Sequence, residues 1–265
     1  MSELTIAIVA YKNYRDVAVA ISSYKKYAAP DADCRIYIVD NSSGERDCAA
    51  DRADLLAQIE GENWVCYIPA GENLGFGRAN NLLLDRLDSR YHAIVNPDII
   101  FHDDPFAAIL PWMDERPDVG MCIPRLLDEE GNLQPVYRRE LTAWDLFVRM
   151  FGKKVFRKRY RWHTMQDMDY TKSFQVPFGQ GSFLVIRTEL FRKLHGFDEE
   201  FFMYVEDADL CKRVNQVSKL MYFPGAVVVH RWERASHRDR RLFLEHLKSA
   251  VRYFRKWGWF AGDGK

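Results

Sequence analysis

The sequence lacks a charge excess, has few cysteines and contains no long apolar run, and each shortage excludes a class of protein. Thirty-eight basic residues balance 38 acidic ones over 265 residues, so the formal net charge is zero. A dedicated nucleic-acid binder needs a basic excess for its phosphate contacts, so nucleic acid is not an expected partner. The five cysteines (Cys34, Cys48, Cys66, Cys122 and Cys211) show no CxxC or histidine spacing. An odd, dispersed set fits free thiols in a reducing compartment better than a disulfide framework. No apolar stretch reaches the ~20 residues of a spanning helix, and the mean hydropathy is -0.35. Met1-Ser2-Glu3-Leu4 has neither the basic nor the apolar region of a signal peptide, so a cytoplasmic location is expected. An apolar fraction of 48% argues against long disorder, and this length can bury a substantial core.

What is present alternates. Ile6–Ala10, Arg35–Val39, Trp64–Ile68 and Ala93–Val95 are short apolar runs, the mark of strands buried on both faces. Helical spacing separates them: Val17, Ala20, Ile21 and Tyr24 after a candidate cap at Asn13 and before a break at Pro30-Asp31, then Gly77 to Leu87. The alternation predicts an α/β fold with a doubly wound, mostly parallel central sheet. Val119–Ile123, Phe183–Ile186 and Ala226–Val229 read as later strands, Asp128–Asn132 as a hairpin turn, and Arg240 to Trp257 as an amphipathic helix. Phe243, Leu247, Ala250, Val251 and Phe254 form the stripe of that helix. No repeat or linker divides the chain, which predicts one domain over residues 1–265.

Ligands of open parallel sheets bind beyond the carboxyl ends of the strands. Asp40 follows the second strand there and Asn96-Pro97-Asp98 the fourth, although both segments are also good turns. Asn73-Leu74-Gly75-Phe76-Gly77-Arg78-Ala79-Asn80-Asn81 is a glycine-punctuated helix entry. It suits either an anion or tight packing. Glu206, Asp207 and Asp209 cluster behind an aromatic run. Asp209 fits an i,i+4 pair with Arg213, whereas adjacent carboxylates at 206 and 207 suggest a reaction or a cation. His230 ends a strand and shares the crevice edge with Asp98.

Taken in order, strand-Asp40, Asn73-x-Gly75-Phe76-Gly77-x-Ala79-x-Asn81, Asn96-Pro97-Asp98, Gly196-Phe197-Asp198-Glu199-x-Phe201-Phe202-x-Tyr204-x-Glu206-Asp207-x-Asp209-Leu210 and His230 resemble an inverting family 2 glycosyltransferase of the GT-A fold. The bacterial rhamnosyltransferases are the nearest group, and the likeness runs from about residue 4 to about residue 256. Asn-Pro-Asp stands where the family has its DxD metal motif. The resemblance implies a nucleotide-sugar half over 1–125 and an acceptor half over 126–265. It implies donor contacts from Ala10, Tyr11, Asp40, Asn73, Gly75, Phe76, Arg78, Asn80, Asn96 and Asp98. Asp98, a hard oxygen ligand, and His230, a nitrogen ligand that fits Mn2+ at least as well as Mg2+, would hold Mg2+ or Mn2+. Asp207 would be the general base, with Glu206 the alternative, and Gly181, Ser182 and Tyr204 would join them around the acceptor.

Overall likeness favours dTDP-L-rhamnose as donor. UDP-hexose and UDP-N-acetylhexosamine transferases share the pattern, and a binding protein without turnover is the non-enzymatic alternative. Relatives extend polyprenyl-diphosphate-linked glycans. Residues 138–163 interleave Arg149, Lys153, Lys154, Arg157, Lys158, Arg159 and Arg161 with aromatics. That suits an anionic membrane surface and peripheral attachment, or else an ordinary solvated helix. Arg240, Arg241, Lys248, Arg252, Arg255 and Lys256 could extend the patch. The aromatic-rich terminal helices also allow a homodimer. After His230, Arg231–Ser236 departs from the small residues and glycines of relatives.

Overall fold

The computed structural model describes residues 2–28, 33–231 and 240–260. The Pro30-Asp31 break and the Trp232–Ser236 stretch lie outside the described residues, as do the side chains of Arg240 and Arg241. Four strands, β1 (Ser2–Ala10), β2 (Cys34–Asp40), β3 (Val65–Pro69) and β4 (Ser89–Val95), pair in parallel in the order β3-β2-β1-β4. β1 is central and buried from Leu4 to Ala10, which is why its sequence is continuously apolar. The helices α1 (Tyr14–Ala28), α2 (Ala49–Ile59) and α3 (Phe76–Asn81) make the crossovers. Because the chain leaves β1 toward β2 and later returns beside β1 as β4, the switch point of the sheet lies beyond Ala10 and Val95.

The sheet then changes character. After β5 (Ile99–Ile100), α4 (Phe106–Asp114) and β6 (Val119–Leu127), the ribbon of β7 (Tyr137–Arg138) and β9 (Phe178–Gly179) stands apart. Between them come α5 (Ala143–Phe147), a π-type turn over Val148–Gly152, α6 (Arg157–His163) and β8 (Phe174–Gln175). β10 (Phe183–Arg187) enters antiparallel between β4 and β6. After α7 (Thr188–Lys193) and α8 (Glu206–Val217), β11 (Lys219–His230) runs parallel to β6 and antiparallel to β5 and β8. Antiparallel β10 brings its start to the finish of β4, where the Asn96 N–H donates to the Ser182 carbonyl at 2.9 Å.

Several expectations need correction. The helix expected over Gly77–Leu87 stops at Asn81, and Leu84–Arg86 is a 3₁₀ turn. Asn80 donates back to the Phe76 carbonyl and Asn81 reaches across to Phe197, so both side chains bond to backbone groups. Asn13 does not cap α1 with its side chain; its Oδ1 accepts the Tyr11 N–H. The strand expected at Ala226–Val229 begins at Lys219 and carries a register shift between Phe223 and Val227. The last helix, α9 (Arg240–Trp257), is buried mainly along its second half, while His246 in its first half stacks on Tyr204. Ala250, Tyr253 and Phe254 are buried, while Phe243 and Leu247 of the expected stripe are exposed. Asp209 explains the anchoring: it accepts from Arg213, from the Trp257 indole at 2.8 Å and from Lys256.

Candidate active site

The two adjacent carboxylates begin α8, after a turn in which Tyr204 and Val205 both take left-handed backbone angles, φ 70° and 57°. For non-glycine residues that conformation costs on the order of 1 kcal/mol each, and it aims the two acids differently. Glu206 is buried, and burial together with the charge of Asp207 pushes its carboxyl up to about 8. At neutral pH it is therefore mainly protonated. Asp207 faces a cavity of about 640 Å³ and is held from behind, its Oδ2 accepting the Gly181 N–H at 3.0 Å and its Oδ1 the Ala208 N–H at 2.8 Å. A Cβ at Gly181 would stand 3.1 Å from the Asp207 Cβ, a tight contact that glycine avoids. Phe76, Asn96, Gly181, Ser182, Tyr204, Glu206 and Asp207 all line this one cavity.

At the far edge of the sheet, the ladder between β11 and β5 is extended by the Arg231 N–H donating to the Asp98 carbonyl. It brings His230 Nε2 to 3.3 Å from Asp98 Oδ1. Gln134 fixes the imidazole from the other side. Its amide donates to the His230 carbonyl, and its Oε1 lies 2.7 Å from Nδ1. An amide oxygen only accepts, so Nδ1 carries a proton and the ring is oriented with Nε2 toward Asp98. The Asp98 Oδ1 is buried and accepts no hydrogen bond. A buried carboxylate oxygen and an imidazole nitrogen at this distance are candidate ligands of a divalent cation.

The remaining residues expected at the donor are placed in three ways. Ala10 and Asn96 flank the switch point, and Tyr11 is exposed beside them. Asp40 is fully buried and already engaged, accepting from Tyr14, Tyr67 and Ser42. Burial, with Asp40 alongside, pushes Tyr14 up to about 12. The glycine loop docks on protein. Gly75 has φ 78°, a Cβ there would meet the Phe202 carbonyl at 2.0 Å, and the Phe76 N–H donates to that carbonyl. Asn73 accepts from the Gly75 N–H, Arg78 donates to the Glu199 carbonyl, and Asn80 is enclosed. These contacts favour the tight-packing reading of the loop, and Gly75, Arg78 and Asn80 do not line the cavity.

Residues 5–195 match the Glycosyl transferase family 2 profile. The chain belongs to this family. It is 29% identical over 215 residues to an N-acetylglucosaminyl-diphospho-decaprenol L-rhamnosyltransferase of Mycobacterium tuberculosis, covering 74% of this chain and 69% of that protein. Over 200 residues it is 27% identical to the rhamnosyltransferase WbbL of Escherichia coli K12, covering 71% of this chain and 72% of the other. Among solved structures it is similar to the mannosyltransferase PcManGT of Pyrobaculum calidifontis with GDP-Man and Mn2+, at TM-score 0.64 and 16% identity over 94% of this chain. It is also similar to GalNAc-T7 with UDP, GalNAc and Mn2+, at TM-score 0.67 and 16% identity over 97% of this chain. This chain spans 64% and 48% of those two chains. The fold is GT-A, as expected.

Around the candidate site, sequence reasoning missed Gln134, Tyr14 and Tyr67. Each acts through contacts of 26 residues or more in sequence separation. Tyr14 carries one signal, an aromatic at the first position of a helix following a strand. Gln134 carries none.

Proposed function

We propose that this glycosyltransferase moves L-rhamnose from dTDP-L-rhamnose to a hydroxyl of a polyprenyl-diphosphate-linked N-acetylglucosamine, with inversion. The observation that carries the chemistry is Asp207, backed by the Gly181 N–H and open to a cavity large enough for a sugar acceptor. Asp207 takes the acceptor hydroxyl proton as that oxygen bonds to the anomeric carbon and the bond to the donor phosphate breaks. The electrons of that bond leave on the phosphate oxygen of dTDP, and attack from the opposite face inverts the centre without an enzyme nucleophile. Glu206, protonated beside it, does not compete for that proton.

Asp98 and His230 would hold Mn2+ or Mg2+, which when bound offsets the charge growing on the leaving diphosphate. Ala10, Tyr11 and Asn96, at the switch point, would receive the nucleotide-sugar. Asp40, saturated by its tyrosines, shapes the base pocket or exchanges one of them for the donor. The rhamnosyltransferase relatives support the donor and acceptor classes. In this reading residues 1–265 form one domain, with donor and acceptor halves meeting near residue 125.

Asp207→Asn is expected to lose about 10²- to 10⁴-fold in kcat while dTDP-L-rhamnose binding is retained. Wild-type transfer by that variant overturns the base. Full activity in excess chelator removes Asp98 and His230 from their roles. A larger thermal shift with a UDP-sugar than with dTDP-L-rhamnose overturns the donor.

A further inference from the structure

The cavity that holds Asp207 contains more positive charge than the transfer chemistry uses. Arg138, Arg149 and Lys153 line it. Arg138 leaves β7 and is buried; its Nη2 donates to Gln180 Oε1 at 2.8 Å, its guanidinium lies 5.0 Å from the Phe178 ring centre, and its Nε is buried without a hydrogen-bond partner. Arg149, on the π-type turn, has its Nη2 3.0 Å from His246 Nε2, and His246 stacks on Tyr204. Neither arginine makes an ion pair among the described residues, whereas Arg159 and Arg139 nearby are matched by Asp145 and Asp167.

This arrangement is costly for a structural purpose. Burial lowers both guanidinium pKa values, that of Arg149 to about 9, and the charge of Arg138 lowers Arg149 further. A guanidinium does not give up its proton in a protein, so both arginines bring their charge into the cavity. Among the described residues the carboxylates of the lining are Asp207 and Glu206, and burial with the charge of Asp207 keeps Glu206 mainly protonated at neutral pH. The two arginines thus leave positive charge in the lining that an anionic ligand such as a diphosphate diester would meet.

The connection to the base is short. Gln180, which receives Arg138, precedes Gly181, whose N–H holds Asp207. The outer rim of the cavity is apolar, with Met150, Phe151, Leu242 and Phe243. Phe151 is 67% exposed and continues into exposed Phe147 and Val155.

We propose that Arg138 and Arg149, with Lys153, seat the diphosphate of the lipid-linked acceptor, so that its first sugar reaches Asp207 and its polyprenyl chain leaves over Phe151 and Phe243. Guanidinium forks suit two neighbouring phosphoryl groups better than ammonium ions do. The proposal rests on the acceptor class given above, but its test separates the two. In chelator, which keeps diphosphates from being held through a cation, geranyl diphosphate is titrated against the full chain and against Arg149→Gln, Arg149→Lys and Arg138→Gln.

The expected result is binding by the wild type, weakening of about tenfold or more in Arg149→Gln, and partial recovery in Arg149→Lys. Geraniol should not bind comparably, and dTDP should not displace the lipid diphosphate. Arg149 is partly exposed, so its variants keep the test open even if Arg138→Gln fails to fold. Equal binding by wild type and Arg149→Gln overturns the subsite. So does displacement by dTDP accompanied by loss of dTDP binding in Arg149→Gln, because the pair would then serve the donor. Binding to phosphatidylglycerol vesicles that depends on Arg149, without binding of geranyl diphosphate, overturns it in favour of a headgroup. If arginine-dependent binding stands but no rhamnose is transferred, the subsite survives and the donor reading falls. If rhamnose is transferred with the same KM for acceptors with and without a diphosphate, the reverse holds.

Discussion

Asp207 and Glu206 are neighbours in sequence but opposites in environment. One faces the cavity on a backbone hydrogen bond; the other is buried with an Oε2 that finds no hydrogen-bond partner. Adjacency in the sequence left the choice of base open, and the left-handed turn at 204 and 205 supports Asp207. Gln134 illustrates the opposite situation, a residue with no local signal that orients a candidate metal ligand. Gln134→Ala should raise the Mn2+ concentration for half-maximal activity about 10- to 100-fold, as loss of an outer-shell partner typically does. A metal titration checks it. An unchanged requirement would show that His230 is oriented without the amide.

At the scale of elements, two contacts shape the site. The short helix α3 is docked through Gly75 onto the Phe202 carbonyl. Gly75→Ala combines a left-handed strain of ~1 kcal/mol with a backbone clash, so it should lower the Tm by several degrees and reduce transfer. A melt within one degree of wild type would mean that the loop moves freely. The second contact is α9, whose inner half is fastened by Asp209 and by Ser249 to the Met203 carbonyl. Its outer half leaves Phe243, Leu244 and Leu247 exposed, as α5, the π-type turn and its neighbours leave Trp144, Phe147, Phe151 and Val155.

These exposed apolar residues, with Lys153, Lys154, Arg157 and Lys158 along the same segment, are the basis on which we propose attachment to anionic lipid. Each basic residue near the headgroups contributes roughly 1 kcal/mol. The intact protein should sediment with phosphatidylglycerol vesicles and release at high salt, and Phe151→Ser combined with Lys154→Glu should weaken the binding. Absence of salt-sensitive binding would sink membrane attachment. Among the described residues no helix is long and apolar enough to cross a bilayer.

For the whole molecule, zero net charge conceals a division. Carboxylates gather at the start of α8, and cations gather along α5 to α6 and on the last helix. Buried titratable groups translate this interior into a pH profile. Glu206 is raised from 4.5 to about 8, so it favours the folded state fully below pH 4.5, and that contribution is lost as the pH rises toward 8. His92 and His163 are lowered by burial from 6.5 to about 3. They contribute fully above pH 6.5, and that contribution is lost as the pH falls toward 3. Thermal melts should therefore decline on both sides of a maximum. Glu206→Gln should abolish only the alkaline decline between pH 4.5 and 8, a change of ~2–4 °C per kcal/mol at this size. An alkaline slope that persists in the variant would mean that Glu206 is not the group responsible.

The sequence alone determined the parallel β1–β4 half, because strands buried on both faces must be apolar throughout and their crossovers must be helical. It also determined which polar residues end those strands, and so Asp40, Asn96 and Asp98. Tertiary structure decided what those residues do. Asp40 is occupied by tyrosines, His230 meets Asp98 only because β11 pairs with β5, and the glycine loop is a packing joint. The cavity arginines, which make no ion pair among the described residues, were equally invisible, since a charge in sequence carries no record of whether a counter-ion folds against it.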